Sequence, residues 1–162
     1  MKVLFDHDRL FEALPETLEK TGPNAGRMRW QIEEFIRVLG LLPVAMGRKE
    51  YFNAITGVFH LRNLLVDLLI EETGAPHRGG ALHLNRLITA DQKELLASLP
   101  PLTPTRGSVI SAHLAYAAAY LPRAREMAER LGIEWPRRFE LATWGHLKHQ
   151  LEVEPPYSLR RP

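Results

Sequence analysis

The chain has 162 residues, 45% of them hydrophobic and 25% charged, and it contains no cysteine. That composition suits one globular domain with a real core, and it excludes disulfides and thiolate metal centres. A formal net charge of +2 with a pI near 9.1 is mildly basic, short of the charge of a dedicated nucleic-acid binder. Arg27, Arg29, Arg37, Arg48, Lys49 and Arg62 nevertheless gather in one segment, and a basic face of this kind can meet an anionic ligand such as a phosphate. The N-terminus lacks a signal-peptide pattern, and the most apolar window, 61–70, holds Arg62, Asn63 and Asp67. No membrane span is expected, and the cytoplasm is the expected compartment.

In chain order, Val3-Leu4-Phe5 is short, apolar and compatible with an extended segment, and 9–20 is helix-like with Pro15 interrupting it. The stretch "TGPNAG" is a break rich in turn formers. Over 25–42, Met28, Ile32, Phe35, Ile36 and Leu39 recur at helical steps. Pro43 removes a backbone donor, so it either kinks one long helix or separates two. The next helix is predicted over 44–72, with Phe52, Ile55, Phe59, Leu61, Leu65, Leu68 and Leu69 turned inward and Gly74 as its cap.

"GAPHRGG" reads as a loop and "ALHLNRLI" as a short helix. Thr89 is the expected N-cap of another helix, with Gln92 completing a capping box. The prolines of "LPPLTP" force an extended connection. Thr105 then caps a helix over 106–131, striped by Ile110, His113 or Leu114, Ala117, Leu121, Ala124 and Met127, bent at Pro122 and ended by Gly132. Pro136 opens a last helix over 137–151. The expected fold is all-α: an antiparallel up-and-down bundle of about five or six helices with Pro-kinked long helices and a short extended N-terminal segment. Residues 1–152 form the expected single domain, and 153–162 an extended or disordered tail.

Few motifs carry chemistry by themselves. Asp6 and Asp8 resemble half of a two-aspartate magnesium site. Such a site needs a Gly-Ser turn ahead of it and a third carboxylate after it, and Gly107-Ser108 lies far downstream. Asp8 therefore reads as a helix cap. His146 and His149 share a helix face but lack a marked third ligand, so no metal site is assigned. There is no phosphate-cradling glycine loop and no nucleophile elbow, and no cofactor is expected. Trp30, Trp135 and Trp144 read as core or interface anchors.

The segment "MGRKEYFNAITGVFHLRNLL" places Arg48, Lys49 and Glu50 a turn beyond Pro43, with Tyr51, Ile55, Phe59 and Arg62 following at helical spacing. Here the chain resembles the helical C-terminal domain of bacterial antibiotic-type nucleotidyltransferases, the aminoglycoside and lincosamide adenylyltransferase-like group. "VLFDHDRLFEAL" is similar to the strand and small helix that close the catalytic domain. "GRKEYFNAITGVFHLRNLLVDLLIEE" is similar to the family's Arg-x-Glu helix, with Lys49 where the family has glycine. "GALHLNRLI…LLASLPPL" and "LGIEWPRRFELATWGHLKHQLE" are similar to its connector and closing helix. The coverage is about residues 2–152.

The resemblance implies a helical substrate- or partner-binding domain that lacks the catalytic core and is not catalytic alone. In it Arg48 would meet a phosphate or carboxylate, Glu50 would accept hydrogen bonds or act as a base, and Tyr51 and Arg62 would line the same wall. A nucleotidyltransferase catalytic domain would be a partner on a separate polypeptide, or would be missing. A small-molecule or nucleotide ligand and a homo-oligomer are also expected. One alternative is a HEPN-like ribonuclease of a toxin pair, whose Arg-then-His motif is matched by Arg78 with His83 and, better placed, by Arg106 with His113. Its Arg106 and His113 would have to converge across a dimer. Another is a structural, self-associating helical protein.

Overall fold

The computed structural model describes residues 22–75 and 83–159. Within them the chain forms α1 (Ala25–Gly40), α2 (Leu42–Gly47), α3 (Tyr51–Thr73), α4 (Leu84–Leu87), α5 (Ala90–Ser98), α6 (Arg106–Arg130) and α7 (Arg137–Leu151), with no strand among the described residues. The all-α class follows. The Val3-Leu4-Phe5 segment, the helix expected over 9–20, Asp6, Asp8 and Arg78 lie outside the described residues.

α1 starts where its sequence says it should. The Asn24 side chain accepts the Arg27 N–H at 2.9 Å, satisfying one of the donors that an α-helix leaves open at its start. The predicted stripe of Met28, Ile32, Phe35, Ile36 and Leu39 is buried. The helix stops at Gly40, and α2 begins one residue later with Pro43 in its first turn, where a missing N–H costs nothing. Pro43 thus separates two helices.

The single helix predicted over 44–72 does not form. It breaks at Arg48–Glu50, where Lys49 takes a left-handed conformation with φ 57°. The Glu50 N–H donates to the Ala45 carbonyl at 2.9 Å and the Lys49 N–H to the Met46 carbonyl at 3.2 Å. This is a Schellman closure, which normally has glycine at the left-handed position. The end of α6 carries the same closure with glycine in place: Gly132 has φ 65°, and the Ile133 N–H donates to the Ala128 carbonyl at 2.8 Å.

The break starts α3 afresh at Tyr51 and sets its buried face as Ala54, Val58, Leu61, Leu65 and Leu68. Phe52 and Phe59, expected inside, are 78% and 57% exposed. Small residues face inward at this end: a Cβ at Gly57 would lie at ordinary contact distance from His113 and Val38. By length and composition alone α3 is long and apolar enough to cross a membrane; here its leucines pack against α1 and α6.

Paired residues fix the directions of the helices. Arg27 of α1 meets Glu71 of α3 at 2.6 Å, and Glu34 meets His60 at 3.0 Å, so α1 and α3 are antiparallel. Along α6 the partners rise with those of α3: His113 by Gly57, Tyr116 by Arg62, Tyr120 by Asp67 and Arg123 on Glu72. α3 and α6 are therefore parallel, and the bundle is not up-and-down throughout. The stretch carrying α4 and α5 returns the chain to the start of α6. α5 is held to the end of α3 by Gln92, which completes the predicted capping box with Thr89 and donates to the Leu69 carbonyl at 3.1 Å. The Phe35 and Tyr120 rings stack 4.0 Å apart, joining α1 to α6 at the centre of the core.

α6 runs without interruption through Pro122. α7 follows Pro136 and spans the predicted residues. Its Glu140 is buried and accepts from Arg125 at 2.8 Å, Trp135 at 2.8 Å and Tyr157 at 2.8 Å. Tyr157 in turn accepts from Trp144 at 2.7 Å. Residues 153–159 have no helix, as expected, but they are tied down by this network rather than loose. The Tyr157 hydroxyl, serving as both donor and acceptor, helps to dock them, together with Val153 and Leu159, which pack against the core.

Two stability changes follow. Lys49→Gly relieves the left-handed backbone and should stabilise the fold by roughly 0.5–1 kcal/mol, read as a higher urea midpoint. Glu140→Ala leaves the Trp135 N–H and the Tyr157 hydroxyl without their buried acceptor, and should cost about 1–3 kcal/mol in the same measurement.

Candidate functional site

α1 and α3 diverge next to the Arg48–Glu50 break and leave a groove of about 510 Å³, within the size range of small-molecule sites. Val38 of α1, Leu41 between α1 and α2, Leu42 and Ala45 of α2, and Ala54 of α3 make its apolar walls. Glu34, Arg37, Asn53, Thr56 and His60 are its polar edge, Arg48 and Glu50 stand at the end where α2 turns into α3, and His113 of α6 lies on the floor.

The edge is internally paired. Arg37 grips Glu34 with two hydrogen bonds, of 2.6 and 2.7 Å, and His60 Nε2 lies 3.0 Å from the same carboxylate. The Arg37 hydrogen bonds hold the Glu34 carboxyl below its usual range; partial burial opposes this and His60 reinforces it. Glu34 is an anion at neutral pH and its charge is already answered. Arg48 and Glu50 differ: both are exposed, and among the described residues their side chains make no hydrogen bond or ion pair. They are the groove's available charges, one of each sign.

His113 is 2% exposed. Its Nδ1 is 2.9 Å from the Val109 carbonyl. A carbonyl only accepts, so Nδ1 carries the proton and the neutral ring keeps a lone pair on Nε2. Burial pushes the ring's pKa down to about 4, against a smaller upward pull from the Val109 carbonyl, so the imidazole is uncharged at neutral pH. Nε2 lies on the Gly57 side: a Cβ built at Gly57 would be 3.6 Å from it.

The structure brings together Arg48 and Glu50 of the sequence-derived set. Tyr51 packs partly against the core, and Arg62 sits farther along α3 beside Tyr116; neither lines the groove, because the break rotates the start of α3. Arg106 is exposed at the first turn of α6, while His113 is enclosed about 10 Å farther along the same helix. Arg106 and His113 therefore do not meet within one chain, and His113 opens only toward the α1–α3 groove. His146 and His149 are exposed, and no cluster of three metal-ligating side chains occurs among the described residues. Trp144 is buried, Trp135 packs under Arg125, and Trp30 is exposed.

Sequence reasoning missed Glu34, Arg37, His60 and Gly57. The Glu34–Arg37 spacing is legible as a helix pair, but His60 and Gly57 join the site only through the antiparallel return of α3. Comparison with protein-family models, curated proteins and solved structures returns no match to this chain.

The depressed His113 pKa makes a pH prediction. Below pH about 6.5 the unfolded chain takes up a proton that the folded ring refuses until about pH 4. Stability contributed by the neutral ring is therefore full above pH 6.5 and declines as pH falls through that window, by up to about 3 kcal/mol. Urea unfolding at several pH values should show a shallower acid loss in His113→Phe than in the parent chain.

Proposed function

We propose that this chain is a helical ligand-binding domain of nucleotidyltransferase type, holding a small polar substrate in the α1–α3 groove and not catalytic by itself. The observation that carries the reading is the unpaired Arg48 and Glu50 at the groove's end. Arg48 binds a phosphate or carboxylate. Glu50 accepts hydrogen bonds from hydroxyl or amine groups, and becomes the base when a catalytic partner delivers the nucleotide and its metal-binding aspartates. Tyr51 and Arg62 support α3 from outside the groove, and Asn53, Thr56 and His60 take their place on the wall.

The left-handed backbone of Lys49 supports the likeness. The family has glycine between its arginine and glutamate, and glycine is the residue this backbone favours. The expected partner is a bacterial, cytoplasmic nucleotidyltransferase catalytic domain on another polypeptide. The exposed Phe52 and Phe59, one helical face apart by two turns, support a protein contact beside the groove. They also favour the second reading, self-association of a structural helical protein, which predicts a stable dimer in sedimentation that Phe52→Ser with Phe59→Ser dissociates.

The test of the first reading is thermal unfolding with aminoglycosides, lincosamides and nucleotides, with and without a catalytic-domain partner. A ligand at a hundred times its Kd should add about 2.7 kcal/mol, or roughly 5–10 °C in Tm. Arg48→Ala and Glu50→Ala should each abolish most of the shift. No shift in any combination would contradict the reading.

A further inference from the structure

Gly57 is in the middle of a 23-residue helix, where glycine is clearly less favourable than alanine. Its φ is not in the left-handed region, unlike those of Gly74 and Gly132. Close packing does not demand it either. An alanine methyl would meet His113 Nε2 at 3.6 Å and Val38 Cγ1 at 4.0 Å, both ordinary contact distances. What the missing methyl leaves is an uncovered Nε2, on a wall and floor that both line the groove.

His113 is more than nine-tenths buried, and its other nitrogen is committed to Val109. Among the described residues Nε2 makes no hydrogen bond. The ring is buried, but His113 lines the groove, so Nε2 is an acceptor that water or a ligand in the groove can answer. The walls above it, Val38, Leu42 and Ala54, are apolar.

We propose that Gly57 and His113 Nε2 form a polar subsite within the groove, which takes the hydroxyl or N–H donor at the leading end of a small apolar-bodied molecule. The inference rests on the groove being a ligand site, but not on Arg48 or Glu50. The end of the ligand that meets Nε2 is a hydrogen-bond donor, because the neutral imidazole offers only a lone pair there. A molecule with only an acceptor there meets the Nε2 lone pair head-on and is rejected. His113 is thus a specificity-determining residue, and Gly57 its access.

Phenol and toluene are the probes: the same ring, with and without the donor. With ¹⁵N-histidine-labelled protein, phenol should shift the His113 Nε2 resonance saturably and bind about five- to tenfold tighter than toluene. Gly57→Ala should weaken phenol at least about tenfold without lowering Tm, since the methyl fits and alanine favours the helix. His113→Phe should remove the preference for phenol over toluene. Phenol that does not bind, or that binds with Nε2 unmoved, or that binds Gly57→Ala unchanged, overturns the subsite. If phenol moves Nε2 while the antibiotic and nucleotide panel gives no Tm shift, the subsite stands and the nucleotidyltransferase reading falls. If the panel shifts Tm through Arg48 and Glu50 and Gly57→Ala leaves phenol unaffected, the reverse holds.

Discussion

The hydrogen bond from the Glu50 N–H to the Ala45 carbonyl governs the architecture of this end of the molecule. It ends α2 after six residues and restarts the helix at Tyr51 in a new register. That register places the small residues Ala54 and Gly57 toward α1 and α6, and so lets His113 approach the groove. It also leaves Arg48 and Glu50 on a turn, where their side chains project without a helical neighbour to pair with. A continuous helix over the same residues would turn this face away and bring the bulky Phe52 or Phe59 inward. The closure carries a strained Lys49, a cost of roughly 1–2 kcal/mol for a non-glycine residue in this conformation, and the packing of α3 on both neighbours offsets it.

Elsewhere in the bundle the buried Glu71 and Glu140 and the half-buried Glu72 meet arginines. Glu71 is met by Arg27, Glu72 by Arg123 and Glu140 by Arg125. Each pair joins segments distant in sequence, and a buried carboxylate without its arginine is strongly destabilising. These pairs therefore fix which helices lie side by side more than they add net stability. The Glu140 cluster also recruits Tyr157, so the C-terminal residues take part in the fold. The groove's Arg48 and Glu50 are exposed charges that make no ion pair among the described residues.

Much of the fold was legible where local chemistry marks it. Thr89 with Gln92, Thr105, Gly74, Gly132 and Pro136 end or begin helices as expected, because capping is a property of a few adjacent residues. The break at Lys49 was not legible: lysine carries no sign of a left-handed backbone, and the Schellman bonds exist only once the turn has closed. The misplacement of Phe52 and Phe59 follows from that single miss. The parallel pairing of α3 with α6 depends on how the stretch between them returns the chain, which hydrophobic periodicity does not encode. At the site, Arg48 and Glu50 stood out through their position beyond Pro43. His113 stood on the apolar stripe of its helix, but its place beneath Gly57 is a tertiary fact with no signature in either segment.

The groove's character depends on an uncharged imidazole on its floor, with its proton on Nδ1 and its lone pair toward Gly57. Long-range ¹H–¹⁵N correlation of the histidine rings across a pH titration measures this directly. The account predicts that His113 stays neutral with the proton on Nδ1 until about pH 4, the tautomer that free histidine disfavours. A His113 protonated on Nε2, or one titrating near pH 6.5 as an exposed histidine does, would contradict it.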